Sequence, residues 1–343
     1  MALPWFSEGR FPLFLAPMAG FTDKAFRQLC KEQGADVMVT EFVMANRFLD
    51  ERSQNDAWKT VDFTPEQRPM GVQIFGSDPE KMAEAARRIV DRLQPDFIDL
   101  NYGCPAQKIV DNCAGSSLLR DLPLLGRVTA KVVERVGEDC PVTAKMRIGW
   151  DAESIVADEA AKVLEEAGVQ ALAVHGRTKE QGYRGDANWD IIEGVAEVVS
   201  IPVVGNGSAD SVERIRAIRE RGKVAGIMIG RAALGYPWLF REFKAALEGG
   251  PIPPSPDLTE RMAVMLRYCR ELNAHKHEDG PWGYLNWMRA RLKSFTKIMP
   301  GCRSLRTRID KVESYEELEA LAEAYLAEQA AIKASEDLAE QRL

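Results

Sequence analysis

Short polar and glycine-containing motifs follow short apolar runs at seven places in the first two thirds of the chain. They contain amides, a thiol, a lysine and a histidine, which are groups that can bind a heterocycle or move a proton. The motifs are Ala16-Pro-Met-Ala-Gly20, Gln73-Ile-Phe-Gly76, Asn101-Tyr-Gly-Cys-Pro105, Lys145-Met-Arg147, His175-Gly-Arg177, Gly205-Asn-Gly207 and Gly230-Arg231. One such motif is common in any protein, but seven at matching positions predict a single shared site.

The last two motifs indicate an anion site. Glycine lets backbone N–H groups approach a phosphate, and the N-terminus of a following helix adds its dipole. Gly207 or Gly230 taken singly could be an ordinary turn glycine. The two motifs together favour a phosphate cradle.

Five side chains in the other motifs could carry chemistry. Cys104, between a glycine and a proline, is expected on a loop, where a thiol can donate a proton or act as a nucleophile. Lys145 could pair with electron density on a bound ring, or form a Schiff base as in aldolase-type barrels. A single histidine such as His175 is more often a core residue, but its position at a strand end favours a functional role. Gln73 and Asn101 offer donors and acceptors to the edge of a heterocycle.

The elements that would position these residues alternate between strand-like and helical patterns. Eight apolar runs predict strands, most of them continuous, as expected for parallel strands buried on both faces. The runs are Phe14–Met18, Val37–Phe42, Met70–Phe75, Phe97–Asn101, Val142–Arg147, Ala171–His175, Pro202–Gly205 and Gly226–Ile229. Eight strands with seven crossovers predict an α/β fold of the (β/α)8 barrel type, whose active site lies at the carboxyl ends of the strands. A doubly wound open sheet is the main alternative.

Composition changes near residue 249. Residues 1–248 form the predicted barrel domain, and the Gly- and Pro-rich residues 249–257 form a predicted linker. Residues 258–343 have helical patterns throughout, which predicts an all-helical second domain.

Charge is distributed unevenly between the two domains. The net charge of −7, from 45 basic and 52 acidic residues, argues against a nucleic-acid partner when taken alone. Residues 289–311, however, hold eight Lys or Arg and one acid, while residues 312–343 hold two Lys or Arg and nine acids. Arg289, Lys293 and Lys297 recur every four residues on one helix face. A solvated helix face is the usual interpretation, but this concentration in an acidic chain favours phosphate binding.

Other function classes are excluded by simple counts. No apolar run reaches the roughly 18 residues of a membrane helix, and the N-terminus lacks the pattern of a signal peptide. The six cysteines form no CxxC pair, which argues against disulfide, zinc and iron–sulfur frameworks and favours a reducing cytoplasm. His275-Lys-His277-Glu-Asp279 is interpreted as a solvated loop, and no metal is expected.

Taken together, the motifs resemble those of the flavin-dependent tRNA-dihydrouridine synthases. The matching strings include Asp99-Leu-Asn-Tyr-Gly-Cys-Pro105, His175-Gly-Arg-Thr178 and Met228-Ile-Gly-Arg231, and they span about residues 14–231. The layout of barrel, linker and helical domain is also similar. The Asn-x-Gly-Cys-Pro element combined with Lys-x-Arg and His-Gly-Arg is specific, although no single piece is.

The resemblance implies an FMN-bound barrel with NADPH or NADH as reductant and tRNA as substrate. It implies hydride transfer from the flavin N5 to C6 of uridine, Cys104 as the general acid and Asn101 as a uracil contact. Arg184, in the loop after His175, is a further candidate for a uracil contact. The residues expected around the isoalloxazine are Pro17, Met18, Gln73, Lys145 and His175. The residues expected to hold the phosphate are Asn206, Gly207, Gly230 and Arg231. The residues expected to contact tRNA are Arg289, Lys293 and Lys297. A monomer in the cytoplasm is expected, with no membrane partner.

Two alternatives and two departures accompany the resemblance. An FMN barrel acting on a small molecule such as a free pyrimidine would need no basic helical domain. A tRNA-binding barrel without catalysis would not need an intact Cys104, Lys145 and His175. The family often has two basic residues after the Gly-Cys-Pro element, where this chain has Ala106-Gln107-Lys108, and an acid where it has Ser208. The first departure concerns RNA contacts, and the second concerns the bracing of a loop.

Overall fold

Parallel strands close into a barrel in this protein. The structure, a computed structural model, describes residues 3–111, 113–276 and 281–340. Its strands are β1 (Leu13–Leu15), β2 (Val37–Val39), β3 (Val43–Met44), β4 (Met70–Phe75), β5 (Phe97–Tyr102), β6 (Val142–Arg147), β7 (Leu172–His175), β8 (Val203–Asn206) and β9 (Gly226–Ile229). Because β1 pairs with both β2 and β9, and β2 pairs with β4, eight parallel strands form a closed ring. The predicted barrel is confirmed and the open sheet is excluded; β3 is a short addition beside the end of β4.

The interior of the barrel is layered from apolar to polar along the strands. At the amino-terminal end, Trp5 lies against Phe97, with ring centroids 5.3 Å apart, in a cluster of buried apolar side chains. Two residues further along β5, Asp99 bonds to side chains of both neighbouring strands. The outward-facing Tyr102 instead bonds to Thr129 of a surrounding helix, 2.7 Å away. Strand alternation therefore brings the polar side chains of β5 to the centre of the barrel.

Helices between the strands cover the outside of the barrel. They are α1 (Lys24–Glu32), α2 (Gln54–Val61), α3 (Pro79–Leu93), α4 (Gln107–Val110), α5 (Leu122–Val136), α6 (Ala157–Glu166), α7 (Trp189–Val198), α8 (Val212–Arg221) and α9 (Leu239–Leu247). Asp78 caps α3, because its carboxylate accepts from the backbone N–H groups of Glu80 and Lys81. Gly168, with φ of +95°, follows the end of α6.

The chain folds into two compact units, and each unit is built from two separate stretches of the sequence. The first unit holds residues 1–232 and 240–252, and the second holds 233–239 and 253–343. The second unit contains α10 (Leu258–Lys276), α11 (Pro281–Phe295), α12 (Cys302–Ile309) and α13 (Tyr315–Glu340).

The segment 233–239 contacts residues of the second unit that follow it in the chain. The indole of Trp238 donates to Glu260 at 2.6 Å, and the hydroxyl of Tyr236 donates to Ser255 at 3.2 Å. The predicted boundaries at 248 and 258 give no sign of this contact.

Neither a membrane-spanning helix nor a metal-binding cluster is present among the residues that the structure describes. No helix there is long and apolar enough to cross a bilayer. No group of three or more His, Cys, Asp or Glu side chains within the same residues could hold a metal ion. His277–Asp279 of the predicted solvated loop lie outside the described residues.

Candidate active site

The carboxyl ends of neighbouring strands bring the predicted site residues together. Strand register places Asn101 beside Lys145 and places His175 beside Asn206. Cys104 follows β5 directly, so its loop borders the same end of the barrel. The convergence that the motifs predicted is therefore present in the structure.

Positive charge is concentrated at this end of the barrel. Lys145, Arg147, Arg177 and Arg231 all act electrostatically on His175. Burial lowers the pKa of Lys145 to about 8, and repulsion from Arg147 adds to that effect, whereas Asp99 opposes it. The ammonium of Lys145 has no hydrogen-bond acceptor among the described residues. An anion placed beside it would offset both the burial and the repulsion.

His175 is held as a neutral imidazole. Burial, followed by repulsion from Lys145 and the three arginines, places its pKa far below the ordinary value. The guanidinium of Arg177 lies 3.1 Å from Nε2 of His175, and a guanidinium can only donate. Nε2 is therefore the acceptor, and Nδ1 carries the proton and can donate to a ligand.

Arg147 joins two loops at the rim of the barrel. Its Nε donates to the carbonyl of Gly103 at 2.9 Å, and its Nη1 donates to the carbonyls of Thr178 and Gly182 at 2.7 and 2.9 Å. Burial lowers the pKa of Arg147 to about 10. The loop that carries Cys104 and the loop after β7 are therefore fixed to one side chain.

Cys104 is enclosed and protonated. It is 8% exposed, and its carbonyl accepts from both the backbone N–H and the hydroxyl of Ser116. Burial raises the pKa of the thiol, against smaller opposing effects from a backbone N–H and from Arg147 and Lys145. A thiol with a raised pKa keeps its proton at neutral pH, which suits a proton donor.

Asn101 fixes the backbone next to this thiol. Its Oδ1 accepts from the backbone N–H groups of Gly103 and Cys104 at 3.0 and 2.9 Å. Its Nδ2 donates to Oε1 of Gln73 at 2.8 Å, which leaves one N–H of Asn101 for another acceptor. Gln73 itself is fully buried below the rim.

The residues of the predicted anion cradle lie at the ends of β8 and β9. Asn206 ties the two strands by donating to the carbonyl of Met228 at 2.7 Å. Among the described residues, the backbone N–H groups of Gly207, Ser208 and Gly230 have no acceptor. A Cβ on Gly230 would make ordinary contacts with Ala16 and Met18, both 3.7 Å away, so neither residue crowds this position. Backbone N–H groups without an acceptor beside uncrowded glycines fit a phosphate.

Ser208 braces the cradle at the position where the family often has an acid. Its Oγ accepts from Arg177 at 2.9 Å and from the backbone N–H of Ala187 at 3.0 Å, and it donates to Asp186 at 3.0 Å. Asp186 in turn pairs with Arg214 at 3.1 Å. The carboxylate missing at position 208 is therefore supplied by the neighbouring loop.

Tyr183 belongs to this site, although the motifs did not identify it. It is 54% exposed, and its ring centroid lies 4.0 Å from the Arg231 guanidinium and 5.5 Å from that of Arg147. The neighbouring Arg184 is exposed and donates to the carbonyl of Glu180 within the same loop. The only sequence signal for Tyr183 is an aromatic residue placed between two glycines beside a basic residue.

The remaining predicted cofactor residues lie at the end of β1. Pro17 and Met18 are half-buried there, and the sulfur of Met18 is one of the atoms nearest to an added Cβ on Gly230. The open cradle, the unpaired Lys145 ammonium and the cationic rim all favour an anionic ligand. These residues fit a flavin that carries a phosphate, as FMN does.

Comparison with known proteins assigns this arrangement to a family. The family model described as "Dihydrouridine synthase (Dus)" matches residues 14–333. The chain is similar to tRNA-dihydrouridine synthase B of Pseudomonas aeruginosa, at 40% identity over 302 residues and 88% of each chain. It is also similar to tRNA-dihydrouridine synthase B of Xanthomonas campestris, at 38% identity over 91% of this chain and 92% of that protein.

Solved structures share the fold at lower identity. A 6-hydroxypseudooxynicotine amine oxidase from Pseudomonas geniculata matches with a TM-score of 0.54 and 16% identity, over 69% of this chain and 47% of that one. Histamine dehydrogenase from Rhizobium matches with a TM-score of 0.51 and 16% identity, over 75% of this chain and 48% of that one.

The lowered pKa of Lys145 makes flavin binding dependent on pH. The ammonium form is present below pH 8 and is lost as the pH rises through that value. A flavin ring places acceptor atoms beside Lys145, and in its reduced form a negative charge, and both favour the ammonium, so FMN binding above pH 8 should take up a proton. We expect titration calorimetry in buffers of different ionisation enthalpy to detect this uptake, and Lys145→Met to abolish it. The control is Lys162→Met, which replaces an exposed lysine on α6. Equal proton uptake by the two variants would contradict the assignment of Lys145 to the flavin site.

Gly230→Ala should remove FMN without harming the fold. The added methyl meets only ordinary contacts within the protein but lies where the backbone is expected to approach the phosphate. We expect an unchanged melting temperature and FMN affinity reduced by about tenfold or more. The matched control is Gly194→Ala, because no other atom lies within 4 Å of a Cβ added at Gly194. Gly207→Ala should also lose stability, because its φ is +111° and its Cβ would lie 2.8 Å from the His175 ring. A Gly230→Ala protein with the parental FMN content would place the phosphate elsewhere.

Proposed function

Since this chain belongs to the dihydrouridine synthase family, we propose that it reduces uridine to 5,6-dihydrouridine in tRNA, with Cys104 as the proton donor. The observation that carries the proposal is a fixed, protonated thiol at the rim of a barrel whose cationic end fits FMN. When bound, FMN supplies the transfer of a hydride from NADPH or NADH to the uracil ring. The protein must hold the ring, stabilise negative charge and deliver one proton.

Cys104 delivers that proton in this proposal. Adding a hydride to C6 of uridine breaks the C5–C6 π bond and leaves an electron pair at C5, which a proton must quench. The thiol of Cys104 keeps its proton at neutral pH because burial raises its pKa. Its loop is held by Asn101, Ser116 and Arg147, so the thiol needs little reorganisation before it reacts.

Lys145 and His175 stabilise negative charge on the flavin ring. The Lys145 ammonium has no competing acceptor among the described side chains and backbone groups. His175 donates from Nδ1 as a neutral group, because Arg177 occupies Nε2. A cation and a neutral donor together can hold an anionic ring edge without placing a further full charge in the site.

Two groups at the rim remain available to contact the uracil. Asn101 retains one amide N–H, and Arg184 is exposed in the loop after β7. The target base must leave its stack to reach the barrel, so the tRNA has to be bound and the nucleotide extruded.

The second unit supplies phosphate contacts. Five of the eight basic residues of 289–311 are buried or bonded within that unit: Arg289 to the carbonyl of Val312, Lys293 to Asp310 at 2.7 Å, Arg306 to Thr296, Arg308 to Glu328, and Arg291, which is buried. Lys297, Arg303 and Lys311 are exposed and have no side-chain partner among the described residues. Of the predicted trio, Lys297 is therefore the direct contact, and we add Arg303 and Lys311.

We also propose a cytoplasmic site of action, because all six cysteines are free thiols, as in a reducing compartment. A monomer remains a prediction.

Cys104→Ala separates the two half-reactions. Reduction of the flavin by NADPH needs no proton from this thiol, whereas reduction of uridine does. General acid catalysis is worth about 10²–10⁴-fold, so we expect normal reduction by NADPH and a loss of that size in reoxidation by tRNA. Stopped-flow flavin absorbance measures each step.

The exposed Cys113→Ala is the control and should lose little in either step. An unaffected tRNA step in Cys104→Ala would rule out the thiol as the proton donor. Faster turnover on free uracil than on tRNA would instead favour a small-molecule reductase.

Neutralising the exposed cations should weaken tRNA binding in a salt-dependent way. We expect Lys297→Gln, Arg303→Gln and Lys311→Gln together to reduce the slope of log affinity against log salt by roughly 2–3. FMN content should stay constant, because all three residues lie in the second unit. Lys333→Gln, an exposed lysine on the acidic α13, should leave the slope nearly unchanged. An unaltered slope in the folded triple variant would contradict the docking role.

A further inference from the structure

A chain of hydrogen bonds crosses three strands below the rim of the barrel. The hydroxyl of Thr143 donates to Oδ1 of Asp99 at 2.6 Å, and Nε2 of Gln73 donates to Oδ2 of Asp99 at 2.5 Å. Oε1 of Gln73 then accepts from Nδ2 of Asn101 at 2.8 Å. Strand register places Gln73 and Thr143 on either side of Asp99, so the chain is built into the sheet.

The chain ends on the backbone that carries the thiol. Oδ1 of Asn101 accepts from the N–H groups of Gly103 and Cys104. Neither of these bonds would form if the Asn101 amide were reversed, because its NH2 group would then face two donors.

Asp99 fixes the direction of the chain from its deeper end. A carboxylate only accepts, so Gln73 must turn its NH2 group toward Asp99 and its oxygen toward Asn101. Asn101 must then turn its NH2 group toward Gln73 and its oxygen toward the Cys104 loop, which is also the orientation that the N–H groups of Gly103 and Cys104 require. The side chain of Gln73 has no hydrogen-bond partner other than Asp99 and Asn101 among the described residues, so without Asp99 its amide could turn either way round.

We propose that Asp99 is a positioning residue for Cys104, acting through the amides of Gln73 and Asn101. The inference rests on the proposed role of Cys104 as the proton donor. Asp99 is 3% exposed and Gln73 is fully buried, so water cannot replace a missing partner in the chain. The carboxylate touches neither flavin nor substrate in this proposal.

Hydrogen exchange at the Gly103 and Cys104 amides tests the proposal directly. In the full-length FMN-loaded protein, Asp99→Leu removes the acceptor for Gln73, and we expect exchange at these two amides to accelerate by about tenfold or more. Asp99→Asn can still accept from Gln73 and donate to the Thr143 hydroxyl, so its exchange should stay close to that of the parent. Equal exchange in the two variants would overturn the proposal.

Reversing the chain is a second test. Asn101→Asp alone brings an acceptor against Oε1 of Gln73, and a flipped Gln73 would then bring its oxygen against Asp99. Combining Asn101→Asp with Asp99→Asn lets both bonds of the Gln73 amide form in the opposite direction with the same number of carboxylates, while Thr143 and the N–H groups of Gly103 and Cys104 keep donating as before. We expect the single Asn101→Asp variant to melt at a lower temperature and the double variant to regain most of the loss. A double variant no more stable than Asn101→Asp would overturn the proposal.

These tests are independent of the catalytic assignment. If Cys104→Ala leaves the tRNA step intact, the proton-donor role fails while the exchange result still reports on the Asp99 chain. If Cys104→Ala blocks the tRNA step but Asp99→Leu leaves exchange unchanged, only the positioning role fails.

Discussion

Repulsion among closely placed cations is the constraint on which this site depends. Lys145, Arg147, Arg177 and Arg231 act together on one histidine, and burial lowers the pKa of three of these four cations. Asp99 is the carboxylate that opposes this effect at Lys145, and it lies one layer deeper in the barrel. Such an arrangement is costly for a folded protein unless an anion completes it. The preference for an anionic ligand is therefore a property of the protein's own electrostatics.

The arginines at the rim are also what holds the loops in place. Arg147 and Arg177 both donate to backbone carbonyls of the loop after β7, and each reaches a second loop as well. A guanidinium has five donors in a rigid fork, so one side chain can connect several segments. The same residues thus create the positive field and fix the geometry in which it acts.

The sequence was sufficient to predict the barrel and the location of the site, because both follow from local patterns. Apolar runs mark the strands, and polar residues at their ends must meet once the strands are parallel and the ring closes. What each rim residue contacts was not predictable. The motif Lys145-Met-Arg147 shows two cations at alternate positions, but not that one has no partner while the other spans three carbonyls. Likewise, spacing put Lys293 and Lys297 on one face, whereas the pairing of Lys293 with Asp310 depends on a later helix.

The segment 233–239 has a consequence for how such proteins can evolve. It runs into the first residue of α9, the rest of which belongs to the barrel unit, yet Tyr236 contacts Ser255 in the linker and Trp238 contacts Glu260 beyond it. Recombination that joined this barrel to a foreign helical domain at the linker would separate the Trp238 indole from Glu260. A viable exchange would have to carry the seven-residue segment along, or find a domain that offers the same acceptor. The two units are therefore inherited together more readily than a linker rich in proline and glycine suggests.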